Sequence, residues 1–94
     1  MYLFFIVYEE VLEKEVMAIV EELDIDRYIQ WDSVKGKWKE KHMGNHVWPG
    51  LYHCILALIE KEKEQEFKKK IDTLRKRFPA DEIWLWKLSL KEIF

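Results

Sequence analysis

Apolar residues in this 94-residue chain follow two different spacings that alternate along the sequence. Strands repeat their buried positions every two residues, whereas helices repeat them every three to four. Four short runs are rich in β-branched and aromatic side chains and predict strands, at residues 2–8, 27–31, 51–59 and 83–88. Residues 9–23 and 62–78 carry the helical period. The predicted order is therefore β-α-β, a connection, and β-α-β again.

Both predicted helices are amphipathic. The first places its apolar residues on one face, and these are Leu12, Val16, Ile19, Val20 and Leu23. The second repeats a 4-3-4 spacing through Phe67, Ile71, Leu74 and Phe78. Pro79 follows directly and marks the end of that helix.

Two β-α-β units of this length predict an α+β fold of the ferredoxin-like type. In this βαββαβ sandwich, a four-stranded antiparallel sheet carries two helices on one face. The chain is long enough for one domain, residues 1–94, and too short for a second independent core. A connection of 18 residues, 33–50, is predicted between strands two and three.

The predicted strands are apolar on both faces, although helices are expected to cover only one. Strand one, for example, alternates two apolar sets, Tyr2, Phe4, Ile6 and Tyr8 against Leu3, Phe5 and Val7. An uncovered sheet of this kind would exceed the few hundred Å² of contiguous apolar surface that monomers expose. Residues 91–94 are too few to cover it, so the sequence predicts an oligomer that buries the second face.

Residues 33–50 hold all three glycines, two of the three histidines and two of the five tryptophans. Connections this long in a small domain are usually functional or disordered, and tryptophan argues against disorder. Lysines alternate here with other residues, which predicts an extended basic ribbon that either contacts an anionic ligand or prevents edge-to-edge strand pairing. The pair Pro49-Gly50 predicts a turn. The candidate ligand- or partner-binding residues are Lys35, Gly36, Lys37, Trp38, Gly44, His46 and Trp48.

His42 and His46 are candidate metal ligands because imidazole binds transition metals. Such a site needs a third ligand, which His53, Cys54 or a symmetry-related copy of the loop could supply. The alternative is that His46 shapes the turn through hydrogen bonds, and that His53 is a satisfied histidine of the core or of an interface.

Composition excludes several classes of function. The net charge of −2 gives no global attraction to nucleic acid or to an anionic membrane. Cys54 is the single cysteine, which fits a reducing cytoplasm, and its apolar strand predicts an inert thiol. No segment approaches the roughly 18 apolar residues of a membrane helix, and no catalytic motif is present, so an enzyme is not expected. Abundant Glu and Lys are typical of thermophilic proteins.

The topology, together with Gly44-Asn45-His46-Val47-Trp48-Pro49-Gly50, resembles the PII-like (GlnB-like) signalling proteins, specifically short divergent members with a His-x-Trp-Pro loop. This resemblance implies a homotrimer with inward-facing sheets, a loop that contacts partner proteins, and adenine nucleotides in clefts between subunits. The family holds phosphates with a glycine-bearing loop before the last strand. Residues 75–82 contain no glycine, so weak nucleotide binding is expected.

The resulting expectation is a small cytoplasmic regulatory protein. It would sense a small anionic ligand at subunit clefts or dock a partner protein through residues 33–50. The alternative is a metal-binding trimer, similar to the CutA-like metal-tolerance proteins, that uses the loop histidines. The residues indicate no particular cofactor, and nucleic acid and membrane are not expected partners.

Overall fold

Strands and helices follow one another in the predicted order. The computed structural model describes residues 1–40 and 44–92, and for residues 37–40 and 44–51 it describes the backbone only. The elements are β1 (Tyr2–Glu9), a 3-10 turn (Glu10–Leu12), α1 (Glu13–Glu22), β2 (Tyr28–Glu40), β3 (Gly44–Ile59), α2 (Lys61–Arg77) and β4 (Ile83–Ser89). The first helix begins later than predicted because β1 continues to Glu9, which pairs with Tyr52 of β3.

The four strands form one sheet in the order β2-β3-β1-β4, and every neighbouring pair is antiparallel. This order places β1 and β3 in the centre and leaves β2 and β4 at the edges. Two βαβ halves with this strand order constitute the ferredoxin-like arrangement, so the predicted fold class is confirmed.

The main core lies between the sheet and the two helices. Phe4 of β1 meets Phe67 of α2 edge to face, with ring centroids 5.3 Å apart. The remaining buried members come from the apolar faces predicted by periodicity, and they include Ile6, Val16, Val20, Ile55, Ala57, Ile59, Ile71 and Leu74. The helical periods therefore identified the buried faces of both helices correctly.

The predicted connection at residues 33–50 is corrected by the structure. Strand β2 continues to Glu40 and β3 begins at Gly44, whereas the sequence predicted strand ends at residues 31 and 51. Pro49 and Gly50 were predicted as a turn and lie within β3 instead. Since proline donates no ladder hydrogen bond, it is tolerated where only one neighbour is paired, and Pro49 lies beyond the stretch of β3 that pairs with β1.

Residues 35–40 and 44–49 pair in continuous antiparallel register, and we call them the ribbon. Strand β1 reaches β3 only from Tyr52 onward in the described backbone, so the ribbon extends past it as two strands. Two register shifts separate the ribbon from the main sheet, one between Trp31 and Val34 and one directly after Val34. Ser33 lies in the first irregularity with φ of 56°, the left-handed conformation that β-bulges often require.

The second sheet face, opposite the helices, is apolar as predicted, and we call it the open face. Val7, Tyr52 and Cys54 are buried there. Around them lie partly buried apolar side chains, Phe5, Val34, Trp84 and Trp86. Trp84 and Trp86 stack on this face with ring centroids 6.3 Å apart. Further out, Ile29, Trp31 and Leu88 are exposed.

One buried charge joins the edge strand β4 to α2. Lys87 Nζ donates to Glu64 Oε2 at 2.6 Å, and Lys68 Nζ lies 3.4 Å from the same oxygen. Lys87 also sits 3.9 Å above the centroid of the Tyr2 ring, a cation–π contact. The hydrogen bond from Lys87 is the main reason that the pKa of Glu64 lies below its usual range.

We expect Glu64→Gln to reduce stability at neutral pH and to matter less in acid. A carboxyl whose folded pKa is lowered stabilises the protein above its unfolded pKa of about 4.3, and the contribution disappears as pH falls through the folded pKa. Urea unfolding at one chain concentration, at pH 7, 4 and 3, should show the difference between wild type and variant shrinking. The exposed Glu21→Gln serves as control. A difference that stays constant with pH would contradict the assignment.

Candidate functional site

Five polar side chains meet on the helix-covered side of the sheet, where β1, β2 and β3 pass the start of α1. They are Tyr8, Glu13, Gln30, Asp32 and His53, and we call them the polar cluster. Tyr8 and His53 are directly paired across β1 and β3. Glu13 is the first residue of α1, and Gln30 and Asp32 belong to β2. Four different elements therefore contribute to one site.

The carboxyl group of Glu13 is the centre of the polar cluster. Gln30 Nε2 donates to both of its oxygens, at 2.9 Å to Oε1 and 2.8 Å to Oε2. The hydroxyl of Tyr8 donates to Oε1 and lies 3.2 Å from the same Gln30 nitrogen. Because these donors come from two different strands, they fix the orientation of the Glu13 side chain over the sheet.

His53 faces two carboxyl groups through one ring nitrogen. Its Nδ1 lies 3.3 Å from Glu13 Oε1 and 3.6 Å from Asp32 Oδ1. The histidine side chain is 12% exposed, whereas that of Asp32 is 72% exposed. The Tyr8 ring packs edge-on against the imidazole at 5.8 Å between centroids. The polar cluster is thus mostly buried at His53 and open to solvent at Asp32.

Burial raises the pKa of Tyr8 far above its ordinary value, and the hydrogen bond to Glu13 raises it further. Its phenol therefore stays protonated at physiological pH and acts as a hydrogen-bond donor toward Glu13.

Strand pairing within the ribbon brings several of the predicted ligand- or partner-binding residues opposite one another. The backbone pairs Gly36 with Trp48 and Trp38 with His46. Lys35 is exposed, and Lys37 and Gly44 belong to the same run of pairs. His42 lies outside the described residues, so a metal site formed by His42 and His46 stays a prediction.

Sequence reasoning missed the polar cluster, although it considered His53 both as a possible third metal ligand and as a satisfied histidine of the core or of an interface. Glu13 is not among the apolar residues that define the buried face of the first helix, so the helical period gave no indication that its carboxyl contacts the sheet. The sequence feature that could have revealed the polar cluster is His53, a polar residue on the same face of β3 as the core residues Ile55 and Ala57. Cys54 is buried as predicted, and burial raises the pKa of its thiol, which fits an inert cysteine.

No protein-family model matches this sequence, and no curated protein sequence matches it. Solved structures do match its fold. The nitrogen regulatory PII-like protein CPII from Thiomonas intermedia K12, bound to ADP, AMP and bicarbonate, superposes with a TM-score of 0.67 at 12% identity, over 99% of this chain and 94% of that one. A second structure of CPII, bound to ADP and bicarbonate, superposes with a TM-score of 0.68 at 12% identity. The match covers 97% of this chain and 88% of that one.

A protein from Thermus thermophilus that is described as PII-like and signalling gives a TM-score of 0.65 at 18% identity. The match covers 93% of this chain and 83% of that one. The chain therefore has the PII-like fold, and the resemblance inferred from topology is confirmed at that level. The described helices include none with the length and apolar character needed to cross a membrane.

Removing the Tyr8 hydroxyl tests how much its hydrogen bond to Glu13 contributes to the stability of the protein. Hydrogen bonds to charged groups contribute about 1.5–3 kcal/mol, so we expect Tyr8→Phe to lower the free energy of unfolding by about 1.5 kcal/mol. Tyr28→Phe, at an exposed position of β2, should change it by less than about 0.5 kcal/mol. Equal effects of the two substitutions in urea unfolding would mean that the Tyr8 hydrogen bond contributes nothing specific.

Proposed function

We propose that this protein is a small regulatory binding protein of the PII-like type, a homotrimer that senses a small anionic ligand at clefts between its subunits. The observation that carries the proposal is the open face, an apolar sheet surface in a fold whose helices cover only the other side. A chain with this surface favours assembly, and assembly creates the inter-subunit clefts that the proposed function requires.

The strongest support for assembly is the apolar surface near the β2 edge of the sheet. An apolar depression of about 410 Å³ lies there, with Leu3, Ile29, Leu56 and Leu58 among its lining residues. Burying such surface is favourable by roughly 25 cal/mol per Å². A neighbouring copy of this chain supplies the matching apolar surface, and three copies with inward-facing sheets would cover one another.

The structural neighbours suggest the class of ligand. CPII is described with ADP, AMP and bicarbonate, which are all anions. The same class suits this chain, whose β2 bears alternating lysines and whose α2 ends in Arg75, Lys76 and Arg77. Residues 75–82 contain no glycine, so we propose that nucleotides bind weakly and that a smaller anion is the better ligand.

The ribbon is the proposed surface for contact with the anionic ligand or with a partner protein. It contains every proposed ligand- or partner-binding residue, Lys35, Gly36, Lys37, Trp38, Gly44, His46 and Trp48. Its backbone extends past β1, so β1 does not cover the β3 edge of the ribbon in the described backbone, while β2 forms the outer edge of the sheet. On this proposal the protein binds and regulates without catalysing a reaction, and it works in the cytoplasm of a thermophile.

Light scattering on the intact chain tests the assembly. We expect a mass about three times the 11.6 kDa of one chain at micromolar concentration. Leu56→Asp should dissociate the trimer because it would bury an unpaired charge against a neighbour. Val11→Asp, exposed on the 3-10 turn, should leave the mass unchanged. A wild-type monomer would overturn the proposal, and circular dichroism separates dissociation of Leu56→Asp from unfolding.

Calorimetry and thermal shift with bicarbonate, AMP, ADP and ATP test the ligand and the ribbon together. A ligand at 100 times its dissociation constant stabilises by about 2.7 kcal/mol, which is readily seen as a rise in Tm. We expect His46→Ala to weaken anion binding about tenfold with little change in the Tm of the free protein, and the exposed Lys14→Ala to change neither.

Three results would contradict these expectations. Absence of binding by every anion would remove the sensing function. Submicromolar affinity for ATP or AMP would show that the missing glycine does not matter. A large loss of Tm in His46→Ala with normal binding would make the ribbon structural.

A further inference from the structure

Three side chains of the polar cluster present metal-ligand atoms to a common point. Glu13, Asp32 and His53 each offer one oxygen or nitrogen, and these atoms all lie within 4.8 Å of one another. The two distances from His53 Nδ1 are 3.3 Å and 3.6 Å. Ligands at about 2.0–2.1 Å from one tetrahedral ion are separated by about 3.4 Å. The two distances from His53 already match this spacing, and the exposed Asp32 side chain is the one that would adjust.

The surroundings of Glu13 resemble those of a metal-binding carboxylate. Ligating carboxylates are usually held by further hydrogen bonds that fix their orientation. Here Gln30 and Tyr8 provide those bonds from β2 and β1. His53 is held as well, since it is mostly buried and its ring packs against Tyr8. Two of the three ligands are therefore positioned before any ion arrives.

The third ligand leaves the site accessible. Asp32 is largely exposed and lies immediately before Ser33, at the bulge where β2 leaves the main sheet. Three protein ligands leave a fourth position toward solvent, which water or another ligand can fill. An open fourth position is typical of zinc sites that also bind water or a small ligand, whereas structural zinc sites are closed by four protein ligands.

We propose that Glu13, Asp32 and His53 bind a divalent transition-metal ion of the zinc type. An imidazole nitrogen beside two carboxylate oxygens suits Zn²⁺, whereas Mg²⁺ and Ca²⁺ favour oxygen ligands alone. The ion would replace the direct contacts between His53 and the two carboxyl groups. By binding both Asp32 and Glu13, the ion would also link the bulge that precedes the ribbon to the first residue of α1. This site is separate from His42 and His46 and does not depend on the proposed anion-sensing function.

The test uses the intact chain, freed of metal with a chelator and titrated with Zn²⁺ in calorimetry. Co²⁺ absorption spectra report the coordination geometry independently. The variants are His53→Gln and Asp32→Asn, and the latter changes an exposed side chain with little risk to folding. The double variant His42→Ala/His46→Ala is the matched control, because it removes the other two histidines of the chain.

We expect one Zn²⁺ per chain at micromolar affinity or tighter, at least tenfold weaker binding in His53→Gln and Asp32→Asn, and unchanged binding in the double variant. Zn²⁺ binding weaker than about 100 μM would overturn the proposal. So would wild-type affinity in both single variants. A loss confined to the double variant would assign the metal to the loop histidines instead. Anion binding is measured separately, so its failure leaves this result interpretable.

Discussion

Strand β1 is apolar on both faces and lies in the middle of the sheet, and this constraint organises the rest of the molecule. Phe4, Ile6 and Tyr8 are buried beneath the helices, while Val7 is buried on the opposite side. The two amphipathic helices cover the first face with their apolar sides. Nothing among the described residues covers the second face to the same extent, because both helices have already packed their apolar stripes against the first. The open face is therefore a direct consequence of the sequence of β1 and its neighbours, and it makes self-association the central physical question for this fold.

The same pairing of β1 with β3 that forms the core also forms the polar cluster. Tyr8 pairs with His53 in the register that places Ile6 opposite Ile55. A slip of one residue would move a strand's core-facing side chains to the open face, so the register is held by the burial of the isoleucines. Glu13 then reaches the cluster because the 3-10 turn after β1 brings the start of α1 over the strand ends. The polar cluster thus depends on core packing and adds a specific set of hydrogen bonds to it.

The sequence predicts the parts of this fold that depend on local periodicity. It identified the buried faces of both helices, the two apolar faces of the sheet and the bounds of α2 within one residue. The ends of β2 and β3 escaped prediction because Lys, Gly and Pro are weak strand formers and the ribbon is rich in them. The proposed metal-ligand group escaped prediction because its members are brought together only by the fold. Glu13, Asp32 and His53 are far apart in sequence, and only the strand register and the bulge at Ser33 bring them together.

The position of Asp32 connects the two surfaces that carry the proposals. It contributes to the polar cluster, and the ribbon begins three residues later beyond the bulge. A bulge interrupts the ladder and re-aims the strand that carries it, so a ligand that holds Asp32 against Glu13 and His53 also restricts the direction of the ribbon. Such a restriction is allosteric only when the bulge has two arrangements with different affinities for a partner. In that case linkage is reciprocal, and a partner bound to the ribbon would change the affinity for the ion by the same factor.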